Sequence, residues 1–180
     1  MAGADKLNET LRVLNRNGEW TGRVESRQTI HAKRLFYANA KVWILDMSTK
    51  SVLLQKRSIN KLNNPGKWAL TGGHIYRHDT PMQTAISEVI EELGIKINDA
   101  NFKFVMILPP LNGHSFSYQF VYLADKKISK FNLQKEEVDT VEYFKFSDLK
   151  NDMKKHERDY AMNYARYEPM LLEIEKIFKN

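Results

Sequence analysis

Apolar and polar positions along this chain follow two periods, and the places where the period changes divide it into strands and helices. Leu11 to Leu14 is a short strand-like run, closed by the turn signal Asn15-Arg16-Asn17-Gly18. Val24 to His31 has no decisive period; strand, short helix and loop all fit it. Leu35 to Leu45 is rich in aromatic and β-branched residues and predicts a long strand ending at Asp46. Val52 to Arg57 is its return strand, across the turn-like Met47 to Lys50. Asn63-Asn64-Pro65-Gly66 then breaks the chain. Farther on the period becomes helical, with Ala85, Ile86, Val89, Ile90 and Leu93 on the apolar side of an amphipathic helix. Thr80 offers an N-cap, Pro81 suits the first helical position, Gln83 completes a capping box and Gly94 ends the helix. The helix is therefore predicted over Pro81 to Leu93, followed by the strand-like Ile95-Lys96-Ile97. Phe102 to Leu108 and Ser115 to Leu123 are further strands, separated by the loop Pro109 to Gly113. In the second, Phe116, Tyr118, Phe120 and Tyr122 share one face, which reads as core. Val141 to Phe146 is the last strand. Ser147 is expected to cap a helix through about Lys155, and a helical tail runs from about Asp159 to Phe178. A break is expected near Glu168-Pro169, because a proline ring clashes with the preceding turn.

Strands flanking a few helices in this order predict an α+β fold, a mixed β-sheet sandwiched between α-helices. With 180 residues and 42% apolar content, one domain over residues 1–180 is expected, its C-terminal helical segment covering about 147–179. The chain has no cysteine, which excludes disulfides, thiolate metal sites and a cysteine nucleophile. No apolar run is long enough to span a bilayer, and the first ten residues contain no apolar signal core. A cytoplasmic protein without a membrane partner is expected on that basis. The net charge of +6 permits an anionic ligand. No tail of like charge and no aromatic–basic interleaving is evident, so a nucleic-acid partner is not expected.

The chemistry concentrates at Glu88, Glu91 and Glu92. Spaced i, i+3, i+4, they lie on one helix face and repel one another. The triplet alone reads either as a solvated acidic face or as a cluster awaiting a hard cation such as Mg²⁺ or Mn²⁺. Its surroundings favour the cation. The loop–helix–loop from Gly73 to Ile95 resembles the Nudix box, G-x5-E-x7-R-E-U-x-E-E-x-G-U with U a bulky aliphatic. Gly73, Glu88, Val89, Glu91, Glu92, Gly94 and Ile95 match at the required spacing. Two positions depart: Asp79 stands for the first glutamate and Ser87 for the arginine, which in the family positions neighbouring glutamates by ion pairing.

The resemblance extends over roughly two thirds of the chain, toward the branch related to isopentenyl-diphosphate isomerase. Ser26-Arg27, His31, Val42 to Leu45, Leu53 to Ser58, Lys61, Pro65 to Trp68, Gly72-Gly73-His74 and Glu136-Glu137-Val138 carry it. Those isomerases use a cysteine after the tryptophan, which this chain lacks. His31 stands for the first of their two N-terminal metal-binding histidines, and Ala38 stands where the second is expected. The resemblance therefore implies the Nudix fold and a metal-dependent hydrolase that cleaves the diphosphate of a nucleoside diphosphate derivative or a related substrate. A catalytically weakened module that binds such a ligand as sensor or regulator is the alternative, and an isomerase a distant third. By the same resemblance, Glu88, Glu91, Glu92 and the Gly73 carbonyl hold Mg²⁺ or Mn²⁺, and Glu88 or Glu137 is the base. Arg57 and Lys61 contact the diphosphate, and His74, which like Glu137 matches a metal-ligand position of the isomerases, is a substrate-binding residue. Arg57 reads equally as a strand-end surface residue, His74 equally as a loop histidine with a structural bond, and His31 and Trp68 chiefly as packing residues. The partner expected is a small-molecule diphosphate, and the C-terminal helix suits a homodimer interface, as in many relatives.

Overall fold

The structure, a computed structural model, describes residues 9–124 and 126–179; residues 1–8 of the polar N-terminal stretch lie outside them. A hairpin comes first, β1 (Thr10–Leu14) pairing antiparallel with β2 (Trp20–Ser26). The stretch from Val24 to His31 divides within itself. Its first half continues β2, and Ser26 then caps α1 (Arg27–Ala32) by accepting the Thr29 amide with its side chain. Ile30 of α1 packs with Leu11 and Val13 in a small satellite core.

The body of the fold comprises β3 (Tyr37–Asp46), β4 (Ser51–Arg57), β5 (Trp68–Ala69), α2 (Pro81–Leu93), β6 (Phe102–Leu108), β7 (Ser115–Ala124), β8 (Val138–Lys145), α3 (Phe146–Lys155) and α4 (Tyr164–Ile177). The strands form one six-stranded sheet in the order β5-β4-β3-β7-β6, with β8 on β4. β3 and β7 run parallel and the other pairs antiparallel, which is the mixed sheet expected. Helices cover both faces, as an α+β sandwich requires. Trp43, Leu45 and Val121 share one core with Leu149, Met153 and Leu171 of α3 and α4. Val42, Ile44 and Phe120 share the other with Ala85, Val89 and Leu93 of α2. Of the expected β7 stripe, Phe116, Phe120 and Tyr122 are buried, and Tyr118 is half-buried against the α2-side core. The opposite face of β7 is buried too, and its polar groups are satisfied internally: Trp43 Nε1 donates to Gln119 Oε1 at 2.9 Å, and Gln119 Nε2 to Ser117 Oγ at 2.8 Å.

Four local expectations fail for identifiable reasons. Ile95-Lys96-Ile97 forms no strand; Ile95 is buried and Ile97 packs against the α2 core, so these residues are held by burial and not by a ladder. Ser147 does not cap α3, which begins one residue earlier at Phe146 with no side-chain cap; the Phe146 amide donates instead to Lys50 O at 3.0 Å. The helical tail begins at Tyr164 and not near Asp159, because Asn163 caps α4 through the Arg166 amide. Pro169 does not break it. It sits inside α4 with its ring exposed, while Tyr167, Met170, Leu171 and Ile174 bury the opposite side.

One irregularity of the sheet makes the site. β3 and β4 pair only where Ile44–Asp46 face Leu53–Ser51. Beyond that they diverge, and the Thr71–Gly73 backbone enters the gap. Val42 N donates to Thr71 O at 3.0 Å and Ala40 N to Gly73 O at 2.9 Å. The freed edge of β4 takes β5, through Gln55–Ala69 and Lys56–Trp68. Gly72 lies at φ +138°, and a Cβ there would stand 2.1 Å from the Ala40 carbonyl oxygen, so only glycine closes this wedge.

Candidate active site

The helix α2 places its carboxylates at the mouth of the wedge. The capping box holds the helix start: Thr80 Oγ1 accepts the Gln83 amide at 3.2 Å and Gln83 Oε1 accepts the Thr80 amide at 2.9 Å. Gly94, left-handed at φ 66°, ends it. In between, Glu88, Glu91 and Glu92 face a cavity of about 750 Å³. All eight of the site residues named from the sequence line this cavity. Asp79 and Ser87 do not.

Glu92 is 5% exposed, and its Oε2 accepts Gln55 Nε2 at 3.1 Å and the Gly72 amide at 3.2 Å. Glu88 is half-buried and tucked against Gly73, where a Cβ would stand 2.0 Å from Glu88 Oε1. Glu91 is on the exposed rim. Burial, then the charge of Glu92, pushes the Glu88 carboxyl up to about 8. Burial pushes Glu92 up to about 7, opposed by Lys41 and by the bonds from Gln55 and Gly72. Lys41, on β3, is drawn into the same set; its Nζ donates to Gly72 O at 2.7 Å. Burial lowers the Lys41 pKa, and the charges of Glu92 and Glu88 oppose that shift.

The other expected residues gather around this centre in unequal states. Lys61 Nζ lies 2.6 Å from Glu137 Oε2, with the lysine buried, so the expected phosphate contact and the expected base hold each other. Arg57 Nε donates to Asn63 O at 3.0 Å and shapes the β4–β5 loop. His74 stacks on Tyr37, ring centroids 5.3 Å apart at 28°. His31 stands edge-on to both, at 5.4 Å from Tyr37 and 5.9 Å from His74. Trp68 packs against Phe144 at 4.9 Å and is a packing residue, as expected. Among the described residues, no three histidine, aspartate or glutamate side chains are placed close enough together to hold a metal ion. The reason lies in the contacts: Glu92 is turned to Gln55 and Gly72, and Glu91 to solvent.

The sequence of residues 36–164 matches the NUDIX domain family. This chain belongs to that family. It is 34% identical over 164 residues to Nudix hydrolase 3 of Arabidopsis thaliana, a match covering 85% of this chain and 21% of that protein. It is 30% identical over 86 residues to the isopentenyl-diphosphate Delta-isomerase of Streptomyces griseus, covering 47% of this chain and 43% of that one. The chain thus matches less than half the length of each of these curated relatives. Among solved structures, DR0079 from Deinococcus radiodurans superposes with a TM-score of 0.68 at 19% identity, over 82% of this chain and 90% of that one. The likeness establishes the fold: the predicted α+β sandwich is a Nudix fold.

Within this NUDIX domain the donor chemistry suits a divalent cation, while the carboxylates as placed do not yet converge on one point. The donors are hard carboxylate oxygens, which Mg²⁺ and Mn²⁺ prefer. Burial is the main cause that pushes two of these carboxyls up, so each favours its neutral form until a cation or a hydrogen bond stabilises the charge. The Gly73 cradle leaves room for Glu88 that any side chain would fill. Sequence reasoning missed Lys41, Gln55 and Tyr37. The only trace of the first two is a long polar side chain inside an otherwise apolar strand, Lys41 before Val42-Trp43-Ile44-Leu45 and Gln55 after Val52-Leu53-Leu54. Gln55 is 1% exposed, which a solvated strand face does not predict. Tyr37 had no distinguishing signal. Among the described residues no helix is long and apolar enough to cross a membrane.

Proposed function

We propose that this NUDIX domain is a metal-dependent hydrolase that cleaves the diphosphate of a nucleoside diphosphate derivative or a related small molecule. The observation that carries the reading is the pair of carboxylates, Glu88 half-buried and Glu92 buried, side by side in the wall of a cavity that also holds Arg57 and Lys61. Glu88, Glu91 and Glu92 would hold Mg²⁺ or Mn²⁺, with a backbone carbonyl of the glycine pair in reach; the ion supplies charge neutralisation for a P–O–P group and lowers the pKa of water. Each glycine carbonyl already accepts one bond and keeps a second lone pair. Arg57 and Lys61 grip the phosphate oxygens, arginine through paired donors. When Lys61 turns to phosphate, Glu137 loses its partner and is free to take a proton from the attacking water. The stacked His74 and Tyr37 form the wall for the organic half of the substrate.

A second reading is favoured by the Lys61–Glu137 pair and by Asp79 and Ser87: a weakened module that binds the ligand as sensor or regulator. Isomerisation is the third, opposed by the absence of a thiol from the chain. The test is phosphate or monophosphate release from nucleoside triphosphates, dinucleoside diphosphates and sugar diphosphates with Mg²⁺ or Mn²⁺, for wild type and Glu92→Gln. Metal-dependent turnover, lost in the variant, is expected. No turnover on any member, with a ligand still raising the melting temperature, would replace the hydrolase by the binding module.

A further inference from the structure

A chain of polar side chains runs from the middle of the core to the wall of the cavity. Tyr37, Asn39, Lys41 and Trp43 alternate along β3 and share one face of the sheet, where Asn39 is in register with Ser117 of β7 and Lys41 with Gln119. Trp43 and Gln119 are fully buried, Ser117 is nearly so, and Asn39 lines the cavity. The chain has a direction, because an indole N–H can only donate. Trp43 Nε1 donates to Gln119 Oε1 at 2.9 Å, so the Gln119 amide nitrogen is turned onward and donates to Ser117 Oγ at 2.8 Å. Tyr167 is hydrogen-bonded to the same hydroxyl. A phenol is the readier proton donor, so it fills a lone pair of Ser117, and the serine proton goes to Asn39 Oδ1. Asn39 Nδ2 is left over, without a partner among the described residues. The atom is accessible, and the cavity is the space that Asn39 lines. Asn39 stands one strand repeat, about 7 Å, from Lys41 at the glycine wedge and as far from Tyr37 on the other side. A bridge joins its backbone to His74. It therefore lies between the phosphate end of the cavity and the stacked rings.

We propose that Asn39 selects the substrate of this cavity: its Nδ2, aimed by Ser117, Gln119 and Trp43, donates to a hydrogen-bond acceptor on the organic half, so that the domain takes the diphosphate of a sugar or nucleoside and rejects that of a hydrocarbon chain. This rests on reading the cavity as a diphosphate site and adds the chemistry of the other half. A polar chain through a dry core costs more than apolar side chains unless each group is met, and the group this one leaves over is the donor at the wall. A hydrocarbon would cover that donor and deprive it of water without replacing the bond, which is the origin of the discrimination. Asn39 does not touch the reacting atoms in this account. It is a specificity-determining residue, and Ser117 and Gln119 are positioning residues behind it.

The experiment is calorimetric binding, with Mg²⁺ present, of methylenediphosphonate and its isopentyl, ribosyl and uridine esters to wild type, Asn39→Ala and Ser117→Ala. The methylene bridge is not hydrolysed, so the panel reads binding apart from turnover. Wild type should bind the uridine ester, or both it and the ribosyl ester, about tenfold or more tightly than the isopentyl ester. Asn39→Ala should lose that preference, and Ser117→Ala should lose part of it, because the amide is then free to turn. Both should keep the free diphosphonate and the isopentyl ester within about twofold of wild type. Equal sensitivity of the ribosyl and uridine esters places the acceptor on the sugar; sensitivity of the uridine ester alone places it on the base. An isopentyl ester bound as tightly as the polar ones overturns the proposal, and that measurement needs no variant. An Asn39→Ala protein that binds the whole panel as wild type does also overturns it. So does a uniform loss that includes the free diphosphonate, which would make Asn39 and Ser117 supports of the wall only. If Asn39→Ala does not fold, Ser117→Ala, which removes one oxygen, carries the same comparison. No binding of any member to wild type removes the diphosphate reading itself and this proposal with it, a failure distinct from the others.

Discussion

Glu88 and Glu92 show how one residue's surroundings reach function. Their spacing on a helix is legible from sequence, but what they feel there is not. Both carboxyls are pushed up, to about 8 and about 7, chiefly by burial. In the unfolded chain they titrate near the ordinary 4.5. Between those values the folded protein holds more protons than the unfolded one, so stability falls as pH rises. The contribution is fully present below about 4.5 and lost as pH passes through the folded values. With divalent ions chelated, the melting temperature of wild type should therefore drop between pH 5 and 8.5 relative to Glu92→Gln, whose amide does not titrate. Adding Mn²⁺ should restore wild type at the alkaline end and do little for the variant. Parallel curves for the two proteins would remove the buried-carboxylate account. Lys41 was beyond sequence reading because a lysine in a strand ordinarily faces water; only the wedge turns this one inward.

Among the elements, α2 matched the sequence reading at both ends because everything that bounds it is local: the Thr80–Gln83 box, Pro81 and Gly94 all act within one turn. The tail helix shows the opposite balance. Pro169 takes away the amide that would bond the Ala165 carbonyl, a local cost that made a break the natural expectation. Burial of Tyr167, Met170, Leu171 and Ile174 on the far side outweighs it. That cost is recoverable. Pro169 is exposed, so Pro169→Ala should stabilise the protein by about 1–3 kcal/mol, seen as a higher urea midpoint with an unchanged slope. A lower midpoint would mean that the ring contributes packing the exposure does not reveal. Ile95-Lys96-Ile97 failed as a strand for a related reason: apolar residues next to a helix end can be buried without a partner strand, and three residues carry too little period to tell the two apart.

At the scale of the whole molecule, α4 reaches the cavity through Arg166 and Tyr167, and the first of these also ties down a loop. Arg166 Nη2 donates to Ser115 O at 2.5 Å and Nε to Pro109 O at 3.2 Å, so the helix clasps the loop between β6 and β7 from outside. Both Arg166 and Ser115 line the cavity. Arg166→Ala removes these bonds and leaves the core untouched. It should cost about 1–3 kcal/mol in stability, as charge-assisted bonds do. Limited proteolysis should then cut in residues 109–114, where wild type resists. A variant as resistant as wild type would show that the loop holds itself.

The division between what is local and what is not also separates the parts of the site. The sequence by itself determined the helix with its caps, the i, i+3, i+4 carboxylates, the strands of a mixed sheet and the glycine pair beside them. Each depends on chemistry acting within a few residues, or on a period that repeats along an element. Only the tertiary structure decided that β3 and β4 part after three residue pairs and admit Thr71–Gly73. It alone decided that Lys41 and Gln55 therefore meet Glu92, that Tyr37 stacks on His74, and that Lys61 holds Glu137. Those contacts join residues 37 to 76 positions apart. They follow from which backbone hydrogen bonds are exchanged between strands, and nothing in the neighbourhood of either partner encodes that exchange.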